Sequence, residues 1–177
     1  MKCFRKRVQL IFQNSYSSLN PSMTVRESLF APLNNLGIMG EEAEERVKRA
    51  LYEIGLNEGF AERYPHELSG GQKQRIVIAR ALIGEPELVI CDEPVSALDV
   101  SIQAEILALL EKFKKEKGLT YIFISHDLGV VKNISDRVMV MYKGRIVEEN
   151  STREIFENPK DDYTKELLAS IPGIKAV

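Results

Sequence analysis

The sequence predicts an α/β domain built on a parallel sheet, and three observations carry that expectation. The run Leu88-Val89-Ile90-Cys91 is apolar at every position, the pattern of an inner parallel strand covered on both faces. An amphipathic stretch from Ser101 to Lys117 follows it, and then a further strand, Thr120 to Ser125, so strand, helix and strand alternate as in a right-handed crossover. Helix-capping pairs and turn formers stand where the periodicity changes.

Taken in order, Val8 to Phe12 reads as a short buried strand that ends at Gln13. The segment Asn14-Ser15-Tyr16-Ser17-Ser18-Leu19-Asn20-Pro21 is dense in turn formers and reads as a loop. Thr24 and Glu27 form a capping box that opens a helix running to about Leu36-Gly37. Between Glu41 and Ile54, Ala43, Val47, Ala50, Leu51 and Ile54 fall on one helical face, and Gly55 stops the helix. These segments, from about residue 21 to residue 67, form a small helical insert. A glycine turn at Gly70-Gly71 then leads into a helix from Gln72 to Ile83, stopped by Gly84 and Pro86. The helix from Ser101 turns Ile102, Ile106, Leu109, Leu110 and Phe113 inward and ends at Gly118. Arg137 to Tyr142, a Lys143-Gly144 turn and Arg145 to Glu148 predict a hairpin. Ser151 with Glu154 opens a short helix before Pro159, and Tyr163 to Ile171 forms a last one, so a helical segment from about 151 to 172 closes the chain.

The composition is that of an ordinary folded protein: 177 residues, 44% hydrophobic and 28% charged, enough for one domain with a substantial core. Twenty-four Lys and Arg against 26 Asp and Glu leave a net charge of -2, without the basic excess of a nucleic-acid binder, so no nucleic-acid partner is expected. Of the two cysteines, Cys91 lies in an apolar run and Cys3 near the chain end, which argues against a disulfide framework and fits a reducing compartment. The apolar stretch after the basic N-terminus is too short for a secretion-signal core, and the longest apolar runs fall far below the ~18 to 20 residues that cross a bilayer. A soluble chain is expected, with any membrane role supplied by a partner.

Four places carry candidate chemistry. At Leu68-Ser69-Gly70-Gly71-Gln72, two glycines before a helix leave backbone N–H groups bare at its positive end and Ser69 adds a hydroxyl, a site suited to phosphate oxygens; the other reading is an ordinary glycine turn. The strand Leu88 to Cys91 delivers Asp92 and Glu93 at its C-terminal end, where open α/β sheets bind ligands. Asp92 suits Mg²⁺ and Glu93 suits the orientation of an attacking water, against the alternative of an acidic turn. His126 follows the strand Tyr121 to Ser125 and could hydrogen-bond a phosphate or water; satisfaction by local backbone is the competing reading. Gln13, also after an apolar strand, could reach Mg²⁺ or water, although taken singly most such glutamines have no role; His66 before the glycine turn reads as structural.

The order of these residues settles what each alone leaves open. Gln13, Ser69-Gly70-Gly71-Gln72, Asp92-Glu93, Ser96-Ala97-Leu98-Asp99 and His126 resemble the Q-loop, signature, Walker B, D-loop and switch histidine of the ATP-binding-cassette (ABC) ATPases, over nearly the whole chain. Finer stretches, Tyr16 to Thr24, Tyr64-Pro65-His66-Glu67, Asp92 to Asp99 and Tyr163 to Leu168 closing at Ile171-Pro172, resemble the importers of di- and oligopeptides (and nickel) within that family. Asn14-Ser15 departs from the Asp-Pro often found there. No Gly-x-x-x-x-Gly-Lys-Ser/Thr occurs in the sequence. In the family that Walker A loop and its strand lie upstream of the Q-loop, so the resemblance implies a P-loop NTPase fold with a helical insert but without the Walker A strand region, in a fragment or a split or truncated product.

The resemblance further implies ATP and Mg²⁺ as cofactors, available to this chain only with the missing part or a complete partner. Two cassettes would pair head to tail, as homo- or heterodimer. Ser69, Gly70, Gly71 and Gln72 would face an ATP on the partner, while Asp92, Glu93, Gln13 and His126 would serve one on their own domain, with Asp92 and Gln13 toward the metal. The helical insert would dock on transmembrane permease subunits, placing the chain in the cytoplasm, peripheral on the inner face of the membrane. Two other functions stay open: a non-catalytic remnant or regulatory module that pairs with a complete cassette, and an ABC-type ATPase acting on DNA or ribosomes. The second group typically carries a long coiled-coil insert or tandem cassettes, which this chain lacks.

Overall fold

Strands β1 (Val8–Ile11), β2 (Leu88–Asp92) and β3 (Thr120–Ile124) lie side by side and parallel, in that order. Val8 stands opposite Leu88, and Leu88 opposite Thr120. The structure is a computed structural model that describes residues 6–13 and 18–170. The loop expected at Asn14 to Ser17, the closing Ile171-Pro172 and the N-terminal Met1 to Arg5 lie outside the described residues. The chain divides between Ile124 and Ser125 into two compact units.

In the first unit, the connection from β1 to β2 begins with two helices and two short turns. Helix α1 (Val25–Asn35) starts at Thr24, whose side chain accepts the Glu27 amide while Glu27 accepts the Thr24 amide, the full capping box. Helix α2 (Gly40–Glu53) buries Ala43, Val47, Ala50 and Leu51, the face read from the sequence. It stops where Gly55 takes φ 76°, which lets the Leu56 amide reach back to the Leu51 carbonyl. The two short 3₁₀ turns, Glu58–Phe60 and Pro65–Glu67, follow.

Helix α3 (Gly70–Leu82) begins two residues before the predicted Gln72, because Ser69 makes a stronger start than the glycines make a turn. Helix α4 (Val100–Lys117) starts one residue early behind Asp99 and ends at Gly118. Ile76, Val77, Ile78, Ile106, Leu110 and Phe113 of these helices are buried, and α3 also packs on β1, so the core lies on one side of the sheet.

That asymmetry corrects one expectation. Val89 and Cys91 of β2, with Ile11 of β1 beside Cys91, are fully buried, but the alternate positions are not. Leu10, Ile122 and Ile124 are 40%, 41% and 48% exposed, and Ile90 is half-buried. Side chains alternate across a strand, so an all-apolar run needs two covering layers. Within the first unit, the described residues supply such cover on one face of this sheet. Burial pushes the Cys91 thiol up to about 12, which leaves it unreactive near neutral pH.

Among the described residues β3 pairs only with β2. Its Tyr121-Ile122-Phe123-Ile124 carries no charge or proline to block a further strand. The chain is expected to be partly molten, or to close this edge by self-association or rearrangement. In the self-associating case, light-scattering mass after gel filtration should exceed that of a monomer, and Ile124→Lys should bring it down. A monodisperse monomer with strong amide-exchange protection over Thr120 to Tyr142 would be the contrary result.

The second unit packs helix α5 (Leu128–Ile134), the hairpin β4 (Arg137–Tyr142) and β5 (Arg145–Ser151), and helices α6 (Thr152–Glu157) and α7 (Asp162–Ala169) around Val131, Val138, Val140, Ile155, Phe156 and Leu168. Lys143 and Gly144 have φ 46° and 77°, the mirror-image turn that suits a two-residue hairpin loop. The second strand runs to Ser151 instead of ending at Glu148, because a bulge opposite Val140 and Met141 lets pairing continue. Ser151 caps α6 by accepting the Glu154 amide, and Asp161, not a residue at 163, starts the last helix.

Candidate functional site

The parallel sheet sets the C-terminal ends of β1 and β2 side by side, and this brings together two candidates 80 residues apart. Nε2 of Gln13 donates to Oε2 of Glu93 at 2.7 Å. Glu93 itself is in the left-handed region, φ 46°, a backbone state that non-glycine residues adopt at a cost and that concentrates at functional sites. Its backbone is held at both polar atoms. The Glu93 amide donates to the Ile124 carbonyl at 2.9 Å, and the Glu93 carbonyl accepts the Ser96 amide at 3.3 Å and the Ser96 hydroxyl at 3.2 Å.

Asp92 is the last residue of β2, opposite Ile124 and half-buried, on the strand face shared with Leu88 and Ile90. Among the described residues no cluster of three or more His, Cys, Asp or Glu side chains could hold a metal by itself. A carboxylate and an amide oxygen, from Asp92 and Gln13, are nonetheless the hard donors that Mg²⁺ prefers. Mg²⁺ usually takes one or two protein ligands and fills the rest of its shell from phosphates and water. The donor set at this end of the sheet fits that demand.

Ser69 is the N-cap of α3. Its Oγ accepts the Gln72 amide at 3.3 Å, and Oε1 of Gln72 accepts the Ser69 amide at 3.0 Å. Gly70 and Gly71 therefore form the first turn of the helix, where backbone amides have no intrahelical acceptor and the helix dipole is positive. The first-turn amides are thus on the helix end itself. Gly71 has a second duty that the sequence did not reveal. A Cβ there would stand 2.7 Å from Cγ2 of Ile102 on α4, so only glycine lets the first turn of α3 lie against that helix.

Between β2 and α4, Val95 is buried, Leu98 is half-buried, and Ser96 and Ala97 are exposed. Asp99 is engaged as the N-cap of α4, accepting the Ser101 hydroxyl at 2.7 Å and the Ile102 amide at 3.0 Å. The Ser101 hydrogen bond, then that amide, holds its carboxyl below the usual range. His126 is exposed and lies at the start of the second unit, ahead of Asp127, which caps α5 through the Gly129 and Val130 amides. His66 stacks on Tyr64 at 5.7 Å between ring centres.

Two arginines of α3, not among the residues that the sequence singles out, tie it to neighbouring segments. Arg75 of α3 donates to the Ile54 carbonyl at the end of α2 and to Glu105 of α4, both at 2.7 Å. Arg80, further along α3, donates to the Ser18 carbonyl beyond Gln13, and burial lowers its pKa from the ordinary value. No local pattern marks either contact, because each joins residues at least 21 positions apart.

A family model described as ABC transporter matches residues 1–96. The chain is 53% identical over 171 residues to the oligopeptide transport ATP-binding protein OppF of Bacillus subtilis, covering 96% of this chain and 56% of that protein. It is 51% identical over 173 residues to OppF of Escherichia coli, covering 97% and 52%. It is 50% identical over 171 residues to the dipeptide transport ATP-binding protein DppF of Haemophilus influenzae, covering 96% and 52%. The chain thus spans about half the length of the curated relatives it matches. Among solved structures, a dimeric ATP-binding cassette in a post-hydrolysis state with ADP and Pi superposes with a TM-score of 0.74 at 34% identity, over 86% of this chain and 66% of that one.

Proposed function

Because the chain belongs to the ABC transporter family, we propose that it is part of the ATP-binding and ATP-hydrolysing subunit of an importer for oligopeptides or dipeptides. The Gln13–Glu93 contact at the ends of β1 and β2 is the observation that carries the ATPase reading. Glu93 orients and polarises the water that attacks the γ-phosphate of ATP, and Gln13 holds its carboxylate in place. Mg²⁺, when bound at Asp92 and Gln13, supplies the charge that neutralises the phosphates. His126 serves the γ-phosphate of the same nucleotide. Ser69, Gly70, Gly71 and Gln72 present a hydroxyl and the first-turn amides of α3 to an ATP held by a second cassette, a homo- or heterodimer partner.

Transport then follows from ATP-driven pairing of the two cassettes, passed through the helical insert to permease subunits in the membrane. No helix among the described residues is long and apolar enough to cross a bilayer. The subunit works from the cytoplasmic face, peripheral to its permease. The sequence similarity to oligopeptide and dipeptide transport proteins supports the peptide class of solute.

The 177 residues contain no Walker A motif, whose lysine and nest of backbone amides grip the phosphates. Phosphoryl transfer depends on positioning, so this chain by itself is expected to be inert. A ligand at 100 times its dissociation constant raises stability by ~2.7 kcal/mol. Millimolar MgATP is therefore expected to leave the melting temperature of the chain almost unmoved. Joining the upstream region of the Bacillus subtilis relative should confer both a thermal shift and phosphate release. A shift of several degrees in the chain alone, or an inert hybrid, would contradict the reading.

A further inference from the structure

We propose that Ser96 is a positioning residue for Glu93, fixing the left-handed backbone from which the carboxylate reaches Gln13. The inference rests on the reading of Glu93 as the group that orients water. Glu93-Pro94-Val95-Ser96 is a tight turn in which Ser96 gives two hydrogen bonds, from its amide at 3.3 Å and its hydroxyl at 3.2 Å, to the Glu93 carbonyl. At φ 46° the side chain of Glu93 crowds its own backbone, so the peptide is poised to leave that conformation unless both of its polar atoms are held. The amide is held by Ile124 and the carbonyl by Ser96. Pro94 and Val95 between them are buried, which anchors the turn against the core. Ser96 is exposed, and its hydroxyl is engaged by the Glu93 carbonyl. Its effect passes through the direction in which Glu93 points.

The test reads the Glu93 amide first, by hydrogen exchange in the 177-residue chain. Ser96→Ala is expected to speed exchange of that amide about five-fold, the loss of one ordinary hydrogen bond, while Ser96→Thr keeps the hydroxyl and the original rate. Unchanged exchange in Ser96→Ala, or equal acceleration in Ser96→Thr, would refute the clamp. The second measurement uses the nucleotide-competent hybrid. Ser96→Ala should lower kcat several-fold with KM for ATP unchanged, and should cost nothing further when combined with Glu93→Gln, because residues acting as a unit are not additive. A full additional loss on the Glu93→Gln background would mean that Ser96 acts by another route. If Glu93→Gln alone leaves turnover intact, the assignment of Glu93 falls, and the exchange rates still decide the clamp.

Discussion

Glu93→Gln in the hybrid that carries a Walker A region is expected to lower ATP turnover by ~10²-fold or more and to leave ATP binding intact. Glutamine keeps the shape of the side chain and its carbonyl can still accept the hydrogen bond that Gln13 now gives to Oε2. What it loses is the negative charge that polarises a water, so the loss falls on kcat and not on KM. Glu93 is singled out over Asp92 by geometry. Asp92 completes the regular pairing of β2 with β3, whereas Glu93 leaves the strand in a left-handed conformation with its carboxylate on Gln13. Steady-state phosphate release with ATP binding measured alongside checks this. Undiminished turnover would remove Glu93 from the mechanism.

The second large effect is structural and strikes the first turn of α3. Gly71→Ala places a Cβ 2.7 Å from Cγ2 of Ile102, a separation that packed atoms do not tolerate. Overpacking of this kind costs ~1 to 3 kcal/mol, against the ~5 to 15 kcal/mol by which a native domain is stable. At ~2 to 4 °C per kcal/mol for a chain of this size, the melting temperature should drop visibly. Ile102→Ala removes the methyl that is struck, so the double variant should recover part of the loss, a favourable coupling of ~0.5 kcal/mol or more between touching residues. Strictly additive losses would show that α3 and α4 do not meet at this glycine. Because the first-turn amides of α3 ride on that packing, the single variant should also weaken nucleotide-dependent pairing of cassettes.

The helix ends and the hairpin turn were readable because their signals are local. Thr24 with Glu27 forms the capping box the sequence announces, since four consecutive residues contain the whole interaction. Gly118 takes φ 64° where the amphipathic pattern stops. The hairpin at Lys143-Gly144 likewise needs only two residues with positive φ. Local signals also misled in two places. Gly70-Gly71 reads as a turn, but Ser69 and Gln72 bond reciprocally and draw both glycines into the helix. The all-apolar strand at Leu88 to Cys91 implied cover on both faces, while the described residues of its own unit cover one, because cover is a property of what packs on a strand and not of the strand.

The sequence by itself determined the α/β class and, through the succession Gln13, Ser69 to Gln72, Asp92-Glu93, Ser96 to Asp99 and His126, the family. Only the tertiary structure decided which of these meet. Gln13 and Glu93 touch because β1 lies beside β2, a choice of strand order that no window of sequence contains. Glu93 is left-handed because the Ile124 carbonyl and Ser96 hold its backbone there, although nothing in the residue favours that φ. Gly71 is required by Ile102, 31 positions away (102 − 71), through a contact whose existence depends on how two helices pack. Backbone preferences and caps act over a few residues and are written in the chain. Strand order, close approach and a held strained peptide arise from contacts between distant segments, and they exist only once the chain has folded.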